Sequence, residues 1–526
     1  MPPQMTRYDE IPYKSAPFPQ TRPDRLEAIA RLFGLQSPPS ATARVLELGC
    51  GAGANLLGMA HDYPNAHFVG IDASARQIAD GWTAIQGLGL RNIDLRHLDI
   101  AEIGEDFGEF DYIICHGVYS WVPPAIQGRI LEILRRNLAD NGVGYVSYNT
   151  YPGWHIRGIV RDMMRYHGTQ FPDPATQLAQ AKALVQFVVD TGKVQDSRYK
   201  QLLRDEFETI NRAEDSYLHH EHLEENNQPL YFHEFAQRLG VNGLQFLGEA
   251  EFSTMVSTNF APEIGETLRR LGTHDILQME QYMDFVRGRY FRQSLICKRS
   301  VVLNRILNSS LVKDFWLSSN AAPVRAEISM DAADTEEFKI PAGAGLNCRH
   351  PLTKAAFLVL HREWPGALTF DELYSRARAE AAERGTPANE LDDPEFLAND
   401  ILSAMAAGLV EWRVSPPPYT CKASDRPKAS KLAQHQAATG FVVTNLRGEM
   451  ITLDLLHRQL LRELDGSRDR EALTESLAGF IAREGHVLRR DGDDTPVTEP
   501  IEARQVLRPA IEKALANLSQ SALLLG

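Results

Sequence analysis

Between residues 44 and 149 the chain alternates short apolar runs with stretches whose apolar residues recur every three to four positions. The runs predict strands at 44–49, 67–71, 93–98, 110–115 and 143–149, and the stretches between them predict helices. Ser74 is placed to cap the helix after the second strand, and Asn141-Gly142 predicts a turn into the fifth strand. This alternation indicates a parallel sheet with helices on both faces.

Helical spacing continues at 175–190 and 197–223, and a different pattern begins after Pro229. A helix at 231–239 precedes a strand at 244–252, two further helices and a strand at 290–298. These two strands would complete a seven-stranded sheet, so the segment before them is expected to be a helical insertion over the strand ends. A free-standing second domain is the alternative.

Beyond residue 301 the pattern predicts two smaller modules. Helices at 352–363, 370–382 and 394–407 precede a strand at 409–414, an order similar to a winged helix, and three prolines at 416–418 mark a linker. A comparable set of helices and strands follows at 441–518. Acidic residues outnumber basic ones between 363 and 400, which favours protein interaction or substrate positioning over DNA binding.

The predicted class is α/β: a Rossmann-like seven-stranded sheet with a helical insertion, plus C-terminal α+β winged-helix-like modules. The predicted segments are an N-terminal arm closing over a cofactor (1–43), five strands (44–154), the insertion or lid (155–228), the segment completing the sheet (229–300) and two modules (301–418 and 419–526).

Composition narrows the classes of partner. The 526 residues carry a formal net charge of -14, which disfavours nucleic-acid binding because phosphate recognition needs clustered Lys and Arg. The five cysteines show no CxxC spacing, so no zinc site or disulfide framework is predicted, and reduced thiols indicate a cytoplasmic protein. No signal peptide and no apolar run of roughly 20 residues is expected, so no membrane partner is predicted. A homodimer is left open.

The turn after the first strand carries the clearest chemistry. Gly49, Gly51 and Gly53 permit close approach of a ligand, and the helix that follows offers unpaired N–H groups to a carboxylate. Glu47, just before the turn, is placed to hold an ammonium group. A dinucleotide site would have Gly-x-Gly-x-x-Gly spacing, whereas here the spacing is Gly-x-Gly-x-Gly.

Two further carboxylates extend this site. Asp72 closes the second strand, about 20 residues on, where it would reach ribose hydroxyls, and Asp99 would accept from an adenine amino group. The pattern predicts S-adenosylmethionine as cofactor and S-adenosylhomocysteine as product, with no metal. A degenerate fold without cofactor is the alternative. The residues expected at the cofactor are Tyr13, Glu47, Gly49, Cys50, Gly51, Gly53, Asp72, Ala73, Asp99, Ile100 and His116.

Several longer motifs resemble those of one family. They are YDEIPY (8–13), QTRP (20–23), FDYIICHGVYSWVP (110–123), YVSYNTYPGW (145–154), YLHHEHLE (217–224) and NQPLYFHEF (227–235). The chain resembles bacterial class I methyltransferases that carry a methyltransferase regulatory domain. This family includes rickettsial protein-lysine methyltransferases that act on an outer-membrane protein, so the resemblance implies a lysine acceptor in a polypeptide.

The acceptor pocket is expected beyond the fourth and fifth strands, because ligands bind at the carboxyl ends of parallel strands. An aromatic channel would desolvate a lysine amine and favour its neutral form. The candidates are His116, Tyr119, Trp121, Tyr148, Tyr151 and Trp154, with Tyr13 closing over the cofactor. His219, His220 and His222 are interpreted as a polar helix face rather than a metal site, and His220 or Glu221 as a hypothetical substrate contact.

Three functions are compatible with these patterns. The first is a protein methyltransferase with lysine as acceptor, whose C-terminal modules hold the polypeptide. The second is a small-molecule N- or O-methyltransferase with the insertion as a lid. The third is a regulatory adaptor that binds the cofactor without catalysis, which the intact Glu47, glycines, Asp72 and Asp99 disfavour.

Overall fold

A computed structural model describes residues 15–190, 198–272, 275–485, 488–490, 493–497 and 500–525. Its centre is a seven-stranded sheet in the order β3-β2-β1-β4-β5-β7-β6, in which β7 runs antiparallel to its neighbours β5 and β6. The expected sheet is confirmed, including its completion by the segment after residue 229. The strands are β1 Arg44–Leu48, β2 His67–Asp72, β3 Ile93–His97, β4 Phe110–Cys115, β5 Leu138–Asn149, β6 Leu244–Glu249 and β7 Phe291–Lys298.

The first helices follow the sequence signals closely. They are α1 Pro23–Leu32, α2 Ala54–Asp62, α3 Ala75–Leu88 and α4 Pro124–Asn137. The Ser74 hydroxyl accepts from the Gln77 N–H at 3.2 Å and so caps α3 as expected. The predicted turn at Asn141-Gly142 is wrong: β5 runs through it, and the extra residues are absorbed as a register irregularity against β4.

The insertion has its own small apolar core. Its helices are α5 Gly153–Gly168, α6 Pro174–Asp190, α7 Arg198–Arg212 and α8 Asp215–Leu218, and a π-helical turn, His219–Leu223, continues α8. Val160, Met164, Ala181 and Leu203 are buried together between these helices. The expected single helix at 197–223 is therefore divided by a break after Arg212.

Three helices, α9 Phe232–Val241, α10 Pro262–Leu271 and α11 Ile276–Arg287, accompany β6 and β7. Behind them the fully buried Arg292 guanidinium forms ion pairs with Glu249 (2.8 Å), Glu280 (3.0 Å) and Asp284 (2.8 Å). A buried charge needs such partners, because removing one would leave the others uncompensated. This cluster fixes α11 against β7.

The remaining elements form two modules. The first contains β8 Trp316–Ser318, β9 Ala322–Pro323, β10 Glu336–Lys339, β11 Gly345–Cys348, α12 Pro351–Glu363, β12 Leu368–Thr369, α13 Phe370–Glu383, α14 Pro394–Ala406 and β13 Glu411–Arg413. The second contains α15 Lys431–Thr439, β14 Val442–Thr444, β15 Met450–Thr452, α16 Leu455–Glu463, α17 Arg470–Glu484, β16 Leu488–Arg490, β17 Asp493–Val497 and α18 Pro500–Gln520.

The second module is a winged helix, with β16 and β17 as its hairpin, and it packs on the sheet domain. Its helix α15 contacts α2 and α3, so closely that a Cβ at Gly87 would lie 2.7 Å from His435 Cε1. Arg447 joins the two modules, since it lies 2.9 Å from Glu411 and stacks over the Trp364 ring. No helix in the described part of the chain is long and apolar enough to cross a membrane.

Candidate active site

The glycine turn between β1 and α2 is closed by backbone hydrogen bonds. Gly49 has a φ of +74°, and a Cβ there would lie 2.5 Å from Val118 Cγ2, so only glycine suits the position. The Gly51 N–H donates to Asp72 Oδ2 at 2.8 Å, which ties the turn to the end of β2. Asp72 Oδ1 accepts from the Ser74 N–H at 2.8 Å.

Glu47 is a buried carboxyl at the end of β1. Its Oε1 accepts from the Asn55 amide at 2.9 Å, whereas its Oε2 is buried with no hydrogen-bond partner among the described residues. Burial raises the pKa of Glu47 to about 8, against the opposing hydrogen bond from Asn55. A buried carboxyl with one oxygen unsatisfied fits the ammonium group of a ligand, which would supply the missing donor.

At the end of β3, Asp99 caps a short 3₁₀ turn. Its Oδ1 accepts from the Ala101 N–H at 2.8 Å, and its own N–H donates to Glu102. Asp99 is exposed toward solvent, and Ala73 and Ile100 lie beside it along the same cavity. Aliphatic walls next to a carboxylate suit a flat heteroaromatic ring that carries an amino group.

These groups line a single cavity of about 660 Å³ that continues past the turn to the helical insertion. We call its far end the part of the wall that comes from the insertion and from the ends of β4, β5 and β7, namely Trp121, Asn149, Arg157, Tyr217, His220, Glu221, Tyr290 and Phe291. Ser15, Ala16 and Phe18 of the predicted arm also line it, whereas Tyr13 lies outside the described residues. In the described ranges the lining residues all come from 15–291, so neither C-terminal module contributes to the wall.

Glu221 is the carboxyl at this far end, within the π-helical turn. Its Oε1 lies 3.7 Å from Arg157 Nη1, and the Arg157 guanidinium stacks 3.9 Å from the Tyr290 ring centre. Burial raises the pKa of Glu221 to about 7, opposed by Arg157, by Arg161 and by a hydrogen bond from Tyr217. The π-helical geometry, frequent at functional sites, places both His220 and Glu221 at the cavity.

Of the six residues predicted for the acceptor pocket, His116 and Trp121 line the cavity. Tyr119, Tyr148, Tyr151 and Trp154 were also predicted to line the pocket, but they lie outside the cavity wall. Tyr119 and Tyr148 are fully buried against Phe235, and Trp154 is buried edge-on to Trp121. These three rings fill the core instead, because burying a large aromatic ring away from water is favourable.

Tyr151, in contrast, lies near the surface, where its ring stacks on His155 with the ring centres 4.0 Å apart. His116 lies between Phe18 and Tyr145, and its Nδ1 is 2.9 Å from the Tyr145 hydroxyl. Burial lowers the pKa of His116 to about 4, so this ring is neutral at pH 7.

The three histidines of the π-helical turn are all buried, and His220 reaches the cavity. Within the ranges that the structure describes, no group of three or more His, Cys, Asp or Glu side chains is arranged to hold a metal ion.

Sequence reasoning missed several lining residues. Asn55 lies on α2, which follows the turn, and Gln77 lies on α3, which follows β2. Arg157 and Tyr217 come from the insertion, and Tyr290 and Phe291 lie at the start of β7. Only Tyr217 carried a signal, because it opens the motif at 217–224. Asn55 directly follows the turn on α2, and the remaining residues belong to segments whose contact with the turn depends on tertiary packing.

Family descriptions match successive parts of this chain. A "Methyltransferase domain" matches residues 39–207, a "Predicted methyltransferase regulatory domain" matches 214–298, and "PKMT, C-terminal winged helix domain" matches 425–523. Over 520 residues the chain is 35% identical to Uncharacterized protein RP789 of Rickettsia prowazekii (strain Madrid E). This alignment covers 97% of this chain and 93% of the rickettsial protein.

Solved structures show the same relationship. PKMT2 from Rickettsia typhi has 30% identity and a TM-score of 0.87, over 98% of this chain and 100% of that one. The structure of that protein in complex with AdoHcy gives a TM-score of 0.85. Fold, turn and similarities together define an S-adenosylmethionine-dependent methyltransferase. The chain belongs to the class I methyltransferases with a methyltransferase regulatory domain, the family that includes these rickettsial proteins.

Proposed function

We propose that this methyltransferase acts on the side-chain amine of lysine in a polypeptide. Glu221 is the residue on which the proposal rests: it is a largely buried carboxyl at the far, acceptor end of the cavity, whose wall also includes the rings of Tyr217 and Tyr290. A carboxylate among aromatic faces suits a cation. The similarity to PKMT2 over nearly the whole chain supports the same class of acceptor.

The cofactor end fits S-adenosylmethionine group by group. Glu47, with its unsatisfied Oε2, would hold the ammonium of the methionine part, and the N-terminus of α2 its carboxylate. Asp72 would accept from the ribose hydroxyls, and Asp99 from the adenine amino group. When bound, the cofactor would supply an electrophilic methyl group on a sulfonium, whose carbon an in-line nitrogen nucleophile attacks as the C–S bond breaks and S-adenosylhomocysteine leaves.

A lysine ammonium has to lose a proton before its nitrogen can react, since its free pKa is near 10.4. The Glu221 carboxylate would first hold the ammonium and then accept that proton, with Arg157 disfavouring a second positive charge nearby. The walls formed by Trp121 and Tyr290 would limit water at the nitrogen. Release of the proton from Glu221 to solvent completes the cycle.

The test uses the full chain, S-adenosylmethionine labelled in the methyl group, and a dialysed cell lysate in two forms. One form is untreated, and in the other the primary amines have been blocked by acetylation. We expect label in protein from the untreated lysate, recovered as methyllysine after acid hydrolysis, and loss of that label from the blocked lysate.

The control is the Glu47→Gln variant, which should transfer no label to either lysate. Label that persists in the blocked proteins would show an acceptor other than a primary amine and contradict the proposal. If label enters only small metabolites in an undialysed lysate, the enzyme is a small-molecule methyltransferase instead.

A further inference from the structure

Outside the cavity lies a row of touching rings that we call the aromatic strip, formed by Tyr151, His155, Tyr231, His233 and Phe285. Tyr151 stacks on His155, and its ring centre is 5.3 Å from that of Tyr231. Tyr231 in turn lies 5.5 Å from His233 and 6.0 Å from Phe285. The strip thus joins the start of α5, the start of α9 and the end of α11.

The strip faces solvent. Phe285 is 48% exposed, its neighbour Val286 is 50% exposed, and His155 and His233 are exposed as well. Single exposed rings are ordinary on protein surfaces, but a contiguous row of them marks a binding surface.

Three short connections join the strip to the acceptor end of the cavity. Tyr151 follows the lining residue Asn149 by two positions, and the Thr150 N–H between them donates to the Tyr290 carbonyl at 2.9 Å. His155 precedes Arg157 by two positions on α5. Phe285 lies five residues before Tyr290, whose ring holds the Arg157 guanidinium. The strip therefore lies on the same segments that supply this part of the cavity wall.

The charges around the strip favour a bound chain with basic side chains. Glu234 lies at the strip, because its Oε2 accepts from the Tyr231 N–H at 2.8 Å. Burial raises the pKa of the Tyr151 hydroxyl, and Tyr231, Glu234 and Asp162 raise it further. The arginines nearby point inward: Arg289 pairs with Glu249 at 2.9 Å, and Arg287 donates to the Thr254 carbonyl. Ring faces flanked by carboxylates are complementary to a guanidinium or ammonium group.

We propose that the aromatic strip docks the polypeptide segment flanking the acceptor lysine, and that this segment presents a basic side chain to it. This inference rests on the proposed function. It assigns peptide docking to the sheet domain and its insertion, where the cavity opens, rather than to the C-terminal modules, which supply none of the lining residues in the described ranges.

The test compares two fluorescein-labelled peptides, each with one lysine: one has flanking arginines, and the other has glutamates in their place. The variants are Phe285→Ala, which removes a ring, and Glu234→Gln, which keeps the hydrogen bond to the Tyr231 N–H but removes the charge. Tyr166→Ala is the matched control, because Tyr166 is 77% exposed on α5 and lies outside the strip.

We expect the arginine peptide to bind more tightly than the glutamate peptide, and Phe285→Ala and Glu234→Gln to weaken its binding by about fivefold each. KM for its methylation should rise in parallel while kcat stays the same, and Tyr166→Ala should change neither. Equal binding of the two peptides, or variants that bind like wild type, would overturn the docking surface.

Methylation distinguishes this result from the proposed function. If binding depends on Phe285 but no methyllysine forms, the acceptor is wrong and the docking surface stands. A change in oligomeric state of Phe285→Ala, measured by light scattering, would show that the strip instead joins two copies of the chain and would overturn the inference.

Discussion

The two ends of the cavity are built in different ways. The cofactor end comes from the ends of three adjacent parallel strands, with Glu47, Asp72 and Asp99 spaced along 53 residues of sequence. The acceptor end is assembled from segments far apart in the chain: Arg157 on α5, Glu221 in the π-helical turn and Tyr290 before β7. One end depends on local turn geometry and the other on how the insertion packs over the sheet.

Despite this difference, both ends contain a buried carboxyl group with a raised pKa. Each has a carboxyl that burial makes hard to ionise, with a pKa of about 8 at Glu47 and about 7 at Glu221. A neutral amide, Asn55, opposes the rise in the pKa of Glu47, whereas the cations Arg157 and Arg161 oppose the rise at Glu221. Under the proposed function, each end would receive a ligand cation: the α-ammonium of the cofactor at the first, and a lysine ammonium that gives up its proton at the second.

The largest effect is expected for Glu47→Gln, which keeps the Asn55 hydrogen bond but cannot pair with an ammonium. Cofactor affinity should fall about 1000-fold, as for loss of one partner of a buried charge pair. At pH 7 the free wild-type carboxyl is mostly protonated, so binding of an ammonium should release a proton. Calorimetry in buffers of different ionisation enthalpy measures both quantities, and unchanged affinity would exclude Glu47 from the cofactor site.

The same variant should stabilise the free protein. A carboxyl whose folded pKa is raised binds its proton more tightly in the folded state, so its contribution to stability is lost as pH rises from about 4.5 to 8. Glu47→Gln removes that loss, so Tm at pH 8 should rise. The gain should shrink toward pH 5, and a variant less stable at pH 8 would contradict this account.

At the other end, Glu221→Gln should lower kcat by about 100-fold, the effect of losing a general base. Because the ionised carboxylate is the active form in this proposal, wild-type kcat/KM, which reports the free enzyme, should rise with pH through about 7, and the variant should lose this rise. Glu225→Gln is the control, since Glu225 is exposed four residues further on. A variant that keeps the wild-type pH profile would remove Glu221 from catalysis while leaving the cofactor end intact.

The two ends of the cavity also differ in how much of each could be predicted from the sequence. The turn, Glu47, Asp72 and Asp99 could be predicted because spacing along one strand–turn–helix unit determines where they lie. Trp121 and His116 follow directly from β4 and also reach the cavity. Tyr119 and Tyr148 could not be separated from them, because whether a ring lines a cavity or fills the core is decided by neighbours such as Phe235 on α9.

Asp99→Asn should have a smaller effect than either buried glutamate. Asn also caps a helical turn well, so the bond to the Ala101 N–H should survive. Cofactor affinity should fall about fivefold, as expected for an exposed contact, with kcat at saturating cofactor unchanged. Glu102→Ala, which removes the reciprocal cap without changing Asp99, is the control for a purely structural effect, and equal losses in both variants would show that Asp99 only shapes the turn.

The smallest functional effect is expected for Tyr148→Phe, which tests whether core and cavity have been separated correctly. The Tyr148 hydroxyl contacts Ser294 Oγ at 3.2 Å, and Ser294 still donates to Glu249 at 2.7 Å when that contact is lost. No buried group is orphaned, so the cost should be about 1 kcal/mol of folding free energy, seen as a lower Tm. Since Tyr148 packs on Phe235 and lies outside the cavity wall, kcat/KM should stay within about twofold of wild type. A large loss of kcat/KM with little change in Tm would move Tyr148 to the acceptor end, and the aromatic channel expected from the sequence would then include it.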